Sequence, residues 1–437
     1  MPALSYGWVG GTTESAVRFT VRTTEASRVR VLVSPADETT PTASSSIQTP
    51  DARGVTKHEI TGLAPATRYR WTVEADGAAL PEPGAFRTLP VSGAQADFAF
   101  CFGGDRVRLS DHVVYDQIRA MDPLQFLFLG DLHYADVNSA NRADYDAVFE
   151  TALGMPRYSR LIREVSTVHT WDNHDFTGPF GWAGSVGASA VQQSLRNHGT
   201  FYPLPASGLY TTWVVGRCRF IMLDTRSFRS DPKDPDGANK TLLGAEQKRW
   251  YFDLLRSSAE PVLFVCESFP HRPSAVGGDR WGDYRTEFAE INAFVGANGI
   301  GPKMVILSAD MHAVAADDGT NSPIGAMELV AAPLDQTSSG SGTWKVGPVV
   351  APAGTGQFGR VEVTDAGDAI TVAFTGHDHT GQVVGQLGKT FDATAYRPRP
   401  DTTTHVRTDD GWTEPVLRVG PEKAVVDARV WQGDGWT

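Results

Sequence analysis

At 437 residues the chain is long enough for two or three domains, taking ~150 residues per domain as a soft prior, and at 41% hydrophobic it can fill ordinary cores. Asp and Glu number 51 against 39 Lys and Arg. The resulting formal charge of -12 excludes a general nucleic-acid binder, which needs a basic face against phosphates, but not a small phosphorylated ligand, because bound cations reverse the local sign.

The N-terminal MPALSYGWVGG has no basic patch leading into an apolar run, so no signal peptide is predicted. No apolar run approaches ~20 residues, so no membrane span is expected. Residues 1–90 alternate apolar and polar in Ala16 to Arg22 and in Val29 to Val33, the two-residue period of half-buried strands. Turn residues such as Pro41 to Ser46 separate these strands. The stretch Gly62-Leu63-Ala64-Pro65-Ala66-Thr67-Arg68-Tyr69 resembles the tyrosine corner of fibronectin type III domains, which implies a β-sandwich module without catalytic residues. Residues 91–97 read as a linker.

After the linker the pattern changes to short apolar runs with polar residues at their carboxyl ends. Phe98 to Cys101 is followed by a helix expected from Ser110 to Met121, with Ser110 or Asp111 as its cap. Phe126 to Leu129 ends at Gly130-Asp131, and Val165 to Trp171 ends at Asp172-Asn173-His174-Asp175. Phe220 to Asp224, Val262 to Cys266 and Val305 to Asp310 follow the same form. Buried strands of this kind predict a layered α/β fold with ligands beyond the strand ends. Residues 359–374 return to antiparallel-type strands, and the chain from about Phe391 to Thr437 reads as a polar extension.

Four strand ends carry the chemistry. Gly130-Asp131-Leu132-His133-Tyr134 offers a carboxylate that can bridge two cations after a tight glycine turn. Trp171-Asp172-Asn173-His174-Asp175 offers a neutral oxygen ligand and a proton donor. Asp310 and His312, two apart on an extended segment, reach to one side. Cys101 would place a thiolate at a strand end; Cys218 and Cys266 read as buried small hydrophobes, and three cysteines are no disulfide framework. Asp105 and Asp136 are acidic neighbours and candidate extra ligands, and His133 is read as lining the cleft.

Together these motifs, in order, resemble the calcineurin-like metallophosphoesterases and within them the PhoD-like alkaline phosphatases, over roughly Phe98 to Val384. Gly208-Leu209-Tyr210, Leu223-Asp224-Thr225-Arg226 and Asp279-Arg280-Trp281-Gly282-Asp283-Tyr284 are similar to further blocks of that family. The resemblance implies an α/β/β/α metallophosphoesterase domain over 97–390, after the sandwich and before an extension at 391–437. It implies that Cys101, Asp131, Tyr134 and His312 hold Fe(III). Asp131 would bridge to a second ion held by Asn173 and Asp310, with Ca(II) by resemblance and Mn(II), Mg(II) or Zn(II) as alternatives. A metal-bound hydroxide would attack a phosphate mono- or diester, His174 would contact the phosphoryl group or protonate the leaving oxygen, and Asp172 or Asp175 would orient His174. Arg226 is a candidate phosphate clamp, with a structural ion pair as the alternative.

Departures and decoys complete the reading. Asn173 stands where the family has an Asp, which loosens the choice of second metal, and Glu267-Ser268-Phe269-Pro270-His271 lacks the Gly-His of the wider superfamily. Gly376-His377-Asp378-His379 has the superfamily spelling but sits in a hairpin, so His377 and His379 are set aside. The ending Val430-Trp431-Gln432-Gly433-Asp434-Gly435-Trp436 resembles the endings of bacteriophage minor tail proteins. It motivates an alternative, a structural or adhesion component of a phage tail, with virion subunits as partners and host envelope lipids or wall polymers as substrates. Location otherwise falls to the cytoplasm or to an export route the sequence does not show.

Overall fold

In the computed structural model, which describes residues 1–273 and 275–396 and the backbone of 407–408 and 411–412, the alternation at the N-terminus becomes two facing sheets. Ala3–Gly10, Ala16–Thr24 and Val55–Thr61 form one, while Val29–Pro35, Arg68–Ala75 and Gly84–Arg87 belong to the other. Their inward residues, among them Val17, Phe19, Val31, Val33, Trp71 and Phe86, share one core. At the corner, the Ala64 N–H donates to the Tyr69 hydroxyl at 2.9 Å.

Two larger sheets follow. In the six-stranded sheet, Phe98–Gly103, Phe126–Leu129 and Thr167–Thr170 run parallel, and Gln357–Asp365, Ala369–Asp378 and Val383–Asp392 extend it antiparallel. In the seven-stranded sheet, Cys218–Met222, Val262–Cys266, Met304–Ser308 and Met327–Ala331 are parallel, with antiparallel strands at both edges. Strand periodicity sorts their side chains. Phe100, Phe102, Leu127 and Leu129 meet Phe220, Phe264, Val305 and Leu307 between the sheets. Cys101, Phe126 and Phe128 point the other way, toward Ile118, Phe149, Leu161 and Leu195 of the outer helices. Ile221, Val265 and Ile306 do the same toward Tyr251, Leu255 and Ile291. The layers are therefore helix, sheet, sheet, helix.

The helix expected from Ser110 begins later and spans Val114–Ala120, without a side-chain cap. Ser110 is engaged elsewhere, its hydroxyl donating to the Asp335 carboxylate. The N-terminal sheets pack on the edge of the six-stranded sheet. Trp8 Nε1 donates to the Thr167 carbonyl at 3.1 Å and Trp71 Nε1 to the Arg163 carbonyl at 3.0 Å. Met1–Thr394 forms one compact unit. Ala395–Thr437 forms a second, of which Arg407–Thr408 and Gly411–Trp412 are described as a short antiparallel pair. The Val430–Trp436 ending lies outside the described residues. Among the described residues no helix is long and apolar enough to cross a membrane.

Candidate metal centre

Four parallel strands deliver their carboxyl ends to one place. Phe98–Gly103 leads to Asp105, Phe126–Leu129 to Asp131, Thr167–Thr170 to Asp172, and Met304–Ser308 of the other sheet to Asp310 and His312. The loops turn sharply to do so. Asp105, Asp131, Tyr134, Asp136, Asp310 and His312 all hold positive φ, between 44° and 62°. Non-glycine residues in this region cost of order 1–3 kcal/mol each, a strain that clusters where function holds a loop in place. Gly130, at φ 112°, is required by crowding as well, since a Cβ there would stand 2.7 Å from that of Asp172.

The result is two overlapping ligand clusters. Asp105, Asp310 and His312 offer atoms within 4.8 Å of one another, and so do Asp131, Asp172 and Asp310. Asp310 belongs to both. His312 Nε2 lies 2.9 Å from Asp105 Oδ1 and 3.0 Å from the Tyr134 hydroxyl, which itself donates to Asp105 at 3.2 Å. The Thr337 carbonyl accepts from His312 Nδ1–H at 2.6 Å and leaves Nε2 facing the cluster.

The electrostatics of this arrangement suit positive charge. Burial, and then the charges of Asp172, Asp105, Asp175 and Asp310, drive the Asp131 carboxyl well above the usual carboxylate range. Burial takes Asp172 up to about 6 against the pull of Arg226, and Asp175 up to about 7 against three backbone N–H groups. Burial also raises the Tyr134 phenol, reinforced by Asp105 and Asp131. Burial lowers His312, but the adjacent Asp105 outweighs it and brings the imidazole up to about 9. Asp131 Oδ2 and Asp172 Oδ2 are buried without a hydrogen-bond partner. Orphaned anionic oxygens converging in a buried cluster are the signature of a cation's seat, and these donors fit one.

The structure brings Asp131, Tyr134, Asp172, Asp310 and His312 together. It does not bring in Cys101, which lies two residues before its strand ends and faces the helix layer. Burial pushes that thiol up to about 12. Asp105 reaches the cluster in its stead. Its signal in the sequence is a polar residue just past a Gly-Gly strand end, the same form as Gly130-Asp131.

Asn173 opens the short helix Asn173–Phe176 beside the cluster, and its side chain makes no hydrogen bond among the described residues. His174 stacks on Tyr134 at 4.0 Å between ring centroids, and its backbone N–H donates to Asp131 at 3.1 Å. Its Nδ1 is 2.5 Å from Asp136, so Asp136, rather than Asp172 or Asp175, orients the ring. Asp175 instead accepts from the backbone N–H groups of Asp131, Leu132 and Asp172 and ties two strand ends together.

Arg226 is engaged as an ion-pair partner. It is buried, with Nε and Nη2 on Asp172 and Nη1 on Asp279 at 2.8 Å. His133 does not line the cleft but is buried against Phe149. His271 is buried between Glu267 and Asn292, bonded to both. His377 bonds to Thr375 and the Gly381 carbonyl within its own hairpin, and neither it nor His379 joins a ligand cluster among the described residues. Arg280, unremarked in the sequence beyond its place in a block, contacts Asp310 through Nε at 2.5 Å.

The family model of PhoD-like phosphatases matches residues 98–358, which run from the first strand of the six-stranded sheet to the start of its fourth. The chain belongs to the PhoD-like phosphatase family. Within curated proteins it is similar to alkaline phosphatase D of Bacillus subtilis (strain 168), with 25% identity over 351 residues. That alignment covers 66% of this chain and 59% of the relative, so the chain spans under two thirds of the relative's length. A solved structure of PhoD superposes with a TM-score of 0.68 at 19% identity, covering 87% of this chain and 91% of that one. The purple acid phosphatase PPD1 of yellow lupin (Lupinus luteus) seeds gives 0.61 at 13% identity, covering 88% and 74%. At these identities the two structures establish the shared fold alone.

Proposed function

We propose that this protein is a metal-dependent phosphoester hydrolase acting on mono- or diesters. The observation that carries it is the pair of ligand clusters sharing Asp310, with the buried oxygens of Asp131 and Asp172 unpartnered. Family membership supports the same reading. Asp105, Tyr134, Asp310 and His312 would hold one cation, and Asp131, Asp172 and Asp310, with Asn173 beside them, a second. With Asp105 in the place expected for Cys101 the donors are oxygens and one imidazole, which suits hard ions such as Fe(III), Ca(II), Mn(II) or Mg(II). When bound, such cations supply charge against the phosphoryl oxygens and make water a better nucleophile.

The chain's own residues do the rest. Asp136 accepts from His174 Nδ1–H and fixes its ring on Tyr134, leaving Nε2 without a partner among the described residues. With the ring doubly protonated, that nitrogen is the proton donor to the leaving oxygen. Asp175 holds the loops carrying Asp131 and Asp172 in register. Arg226 keeps Asp172 charged and aimed. Residues 1–90 serve as a fibronectin-III-like module, a reading supported by the Ala64 to Tyr69 corner bond.

The test is elemental analysis of the purified chain combined with hydrolysis of p-nitrophenyl phosphate and bis(p-nitrophenyl) phosphate, before and after chelation. Bound metal with chelator-sensitive turnover of either ester is the expected result. Absence of both metal and turnover after loading with Fe(III), Ca(II) and Mn(II) refutes the proposal.

A further inference from the structure

Three arginines surround the carboxylate cluster, and they differ in what their guanidinium groups have left to offer. Arg226 is buried and saturated by Asp172 and Asp279. Arg229 is buried as well, with Nε on the Gly181 carbonyl at 2.8 Å and Nη2 on Asp279. Arg280 is different. Nε and Nη2 hold the Asp310 carboxylate and carbonyl at 2.5 and 3.0 Å, Nη1 makes no hydrogen bond among the described residues, and 31% of the side chain is exposed. Among the described residues it is the arginine that both touches a cluster carboxylate and opens to solvent.

Its backbone is pinned on either side. Asp279, at φ 61°, has its carboxylate held by Arg226 and Arg229 and donates its N–H to Asp283 at 2.9 Å. Buried Trp281 donates Nε1 to Glu267 at 2.9 Å. A rigid turn thus presents a side chain whose one bonded partner among the described residues is Asp310. That partner is the residue common to both ligand clusters. A cation taking Asp310 competes for the same carboxylate and weakens the hold on Arg280. The planar guanidinium fork is then free beside the cluster, and its geometry matches phosphate oxygens two at a time.

We infer that Arg280 is the phosphoryl-binding arginine of this site, held on Asp310 as a counter-ion and freed for the substrate when a metal occupies that carboxylate. This rests on the phosphoester-hydrolase reading above. The experiment uses the full chain stripped with EDTA, with Arg280→Gln and Arg280→Lys beside the wild type. Calorimetric titration gives the affinity for Mn(II), and a second titration gives the affinity of the Mn(II)-loaded protein for inorganic phosphate.

Arg280→Gln is expected to bind Mn(II) as tightly as the wild type or more tightly, and to bind phosphate roughly tenfold more weakly or worse at full metal occupancy. Arg280→Lys keeps the charge but not the fork, so it falls between the two and also serves if the Gln variant does not fold. Weaker Mn(II) binding with unchanged phosphate affinity would show that Arg280 only orients Asp310, and overturns the inference. Unchanged phosphate affinity in both variants overturns it too. A wild type that takes up no metal overturns the hydrolase reading and the inference together.

Discussion

Replacing Asp131 by Asn separates a site built for a cation from a buried cluster that merely tolerates its own charge. Asp131 is buried, its Oδ1 accepts from His174 N at 3.1 Å, and its Oδ2 has no partner. Asp172, Asp105, Asp175 and Asp310 all repel its negative charge. The amide keeps the shape and the His174 bond while removing the charge from the orphaned oxygen. The new NH2 has the carboxylates of Asp172 and Asp310 close by as acceptors, and since an unsatisfied buried acceptor costs about 1–3 kcal/mol, the metal-free fold should gain about that much. Spread over the Met1–Thr394 unit, at ~2.1 cal/mol/K of unfolding entropy per residue, the gain is ~1–4 °C in Tm. Metal acts in the opposite direction. A cation at 100 times its Kd stabilises the wild type by about 2.7 kcal/mol, or ~3 °C on the same scale, and the Asp131→Asn variant forfeits much of this. Melting curves with EDTA and with Mn(II) should therefore cross: the variant melts higher in EDTA and lower in Mn(II), without phosphatase activity. A variant that melts below the wild type in EDTA, or keeps the full Mn(II) shift, refutes the reasoning.

Four further outcomes are expected. Cys101→Ala retains full metal content and loses about 1 kcal/mol of stability from its core position, whereas Asp105→Asn loses metal; elemental analysis of the two decides between them. His174→Ala lowers kcat by roughly 10²–10⁴ on alkyl phosphates and less on p-nitrophenyl phosphate, whose leaving group needs no proton; equal losses on both would remove His174 as the proton donor. Arg226→Ala costs about 3–5 kcal/mol in thermal or urea unfolding, because it strands buried Asp172 and Asp279; an unchanged midpoint with a raised KM would restore the phosphate-clamp role. The pH dependence has a fixed sign. Folding raises the pKa of Asp172 to about 6 and of Asp175 to about 7, so their contribution is complete below the unfolded value near 4 and is lost as pH climbs through 6 and 7. The Mn(II)-induced rise in Tm should accordingly be larger at about pH 7.5 than at about pH 5; a smaller rise at the higher pH contradicts this.

What the sequence shows about this site follows the strand ends. Apolar runs that stop at Gly130-Asp131 and at Ser308-Ala309-Asp310 announce where a buried strand leaves the sheet, and both Asp residues sit in the clusters. Cys101 stands apart from the clusters for a physical reason. The run Phe98–Gly103 is buried on both faces, so no polar alternation marks which residues look between the sheets and which toward the helices. Phe102 and Gly103 extend the strand, and only the register beside Phe126 and Arg360 assigns Cys101 to the helix side. Arg226 and His133 lie within motifs, yet motif membership does not reveal burial. Their partners, Asp279 and Phe149, come from other parts of the chain. Asp136 as the holder of His174 spans 38 residues and has no local signature at all.

The same remoteness explains how such a site is held. Six of its residues are at positive φ and its carboxylates repel one another, so strain and charge both oppose the metal-free arrangement. Opposing them are contacts outside the ligand set. Asp175 accepts three backbone N–H bonds and so fixes the Asp131 loop against the Asp172 loop. Arg226 and Arg229 anchor Asp279, whose turn presents Arg280. Each of these supports holds a loop or a cluster carboxylate in place without itself belonging to a ligand cluster. Removing one should therefore spread the cluster without deleting a donor: metal affinity falls while the number of metals bound at saturation stays the same. Loss of a proposed ligand such as Asp310 should lower that number instead. The stoichiometry at saturation, more than the affinity, tells a supporting residue from a ligand in this centre.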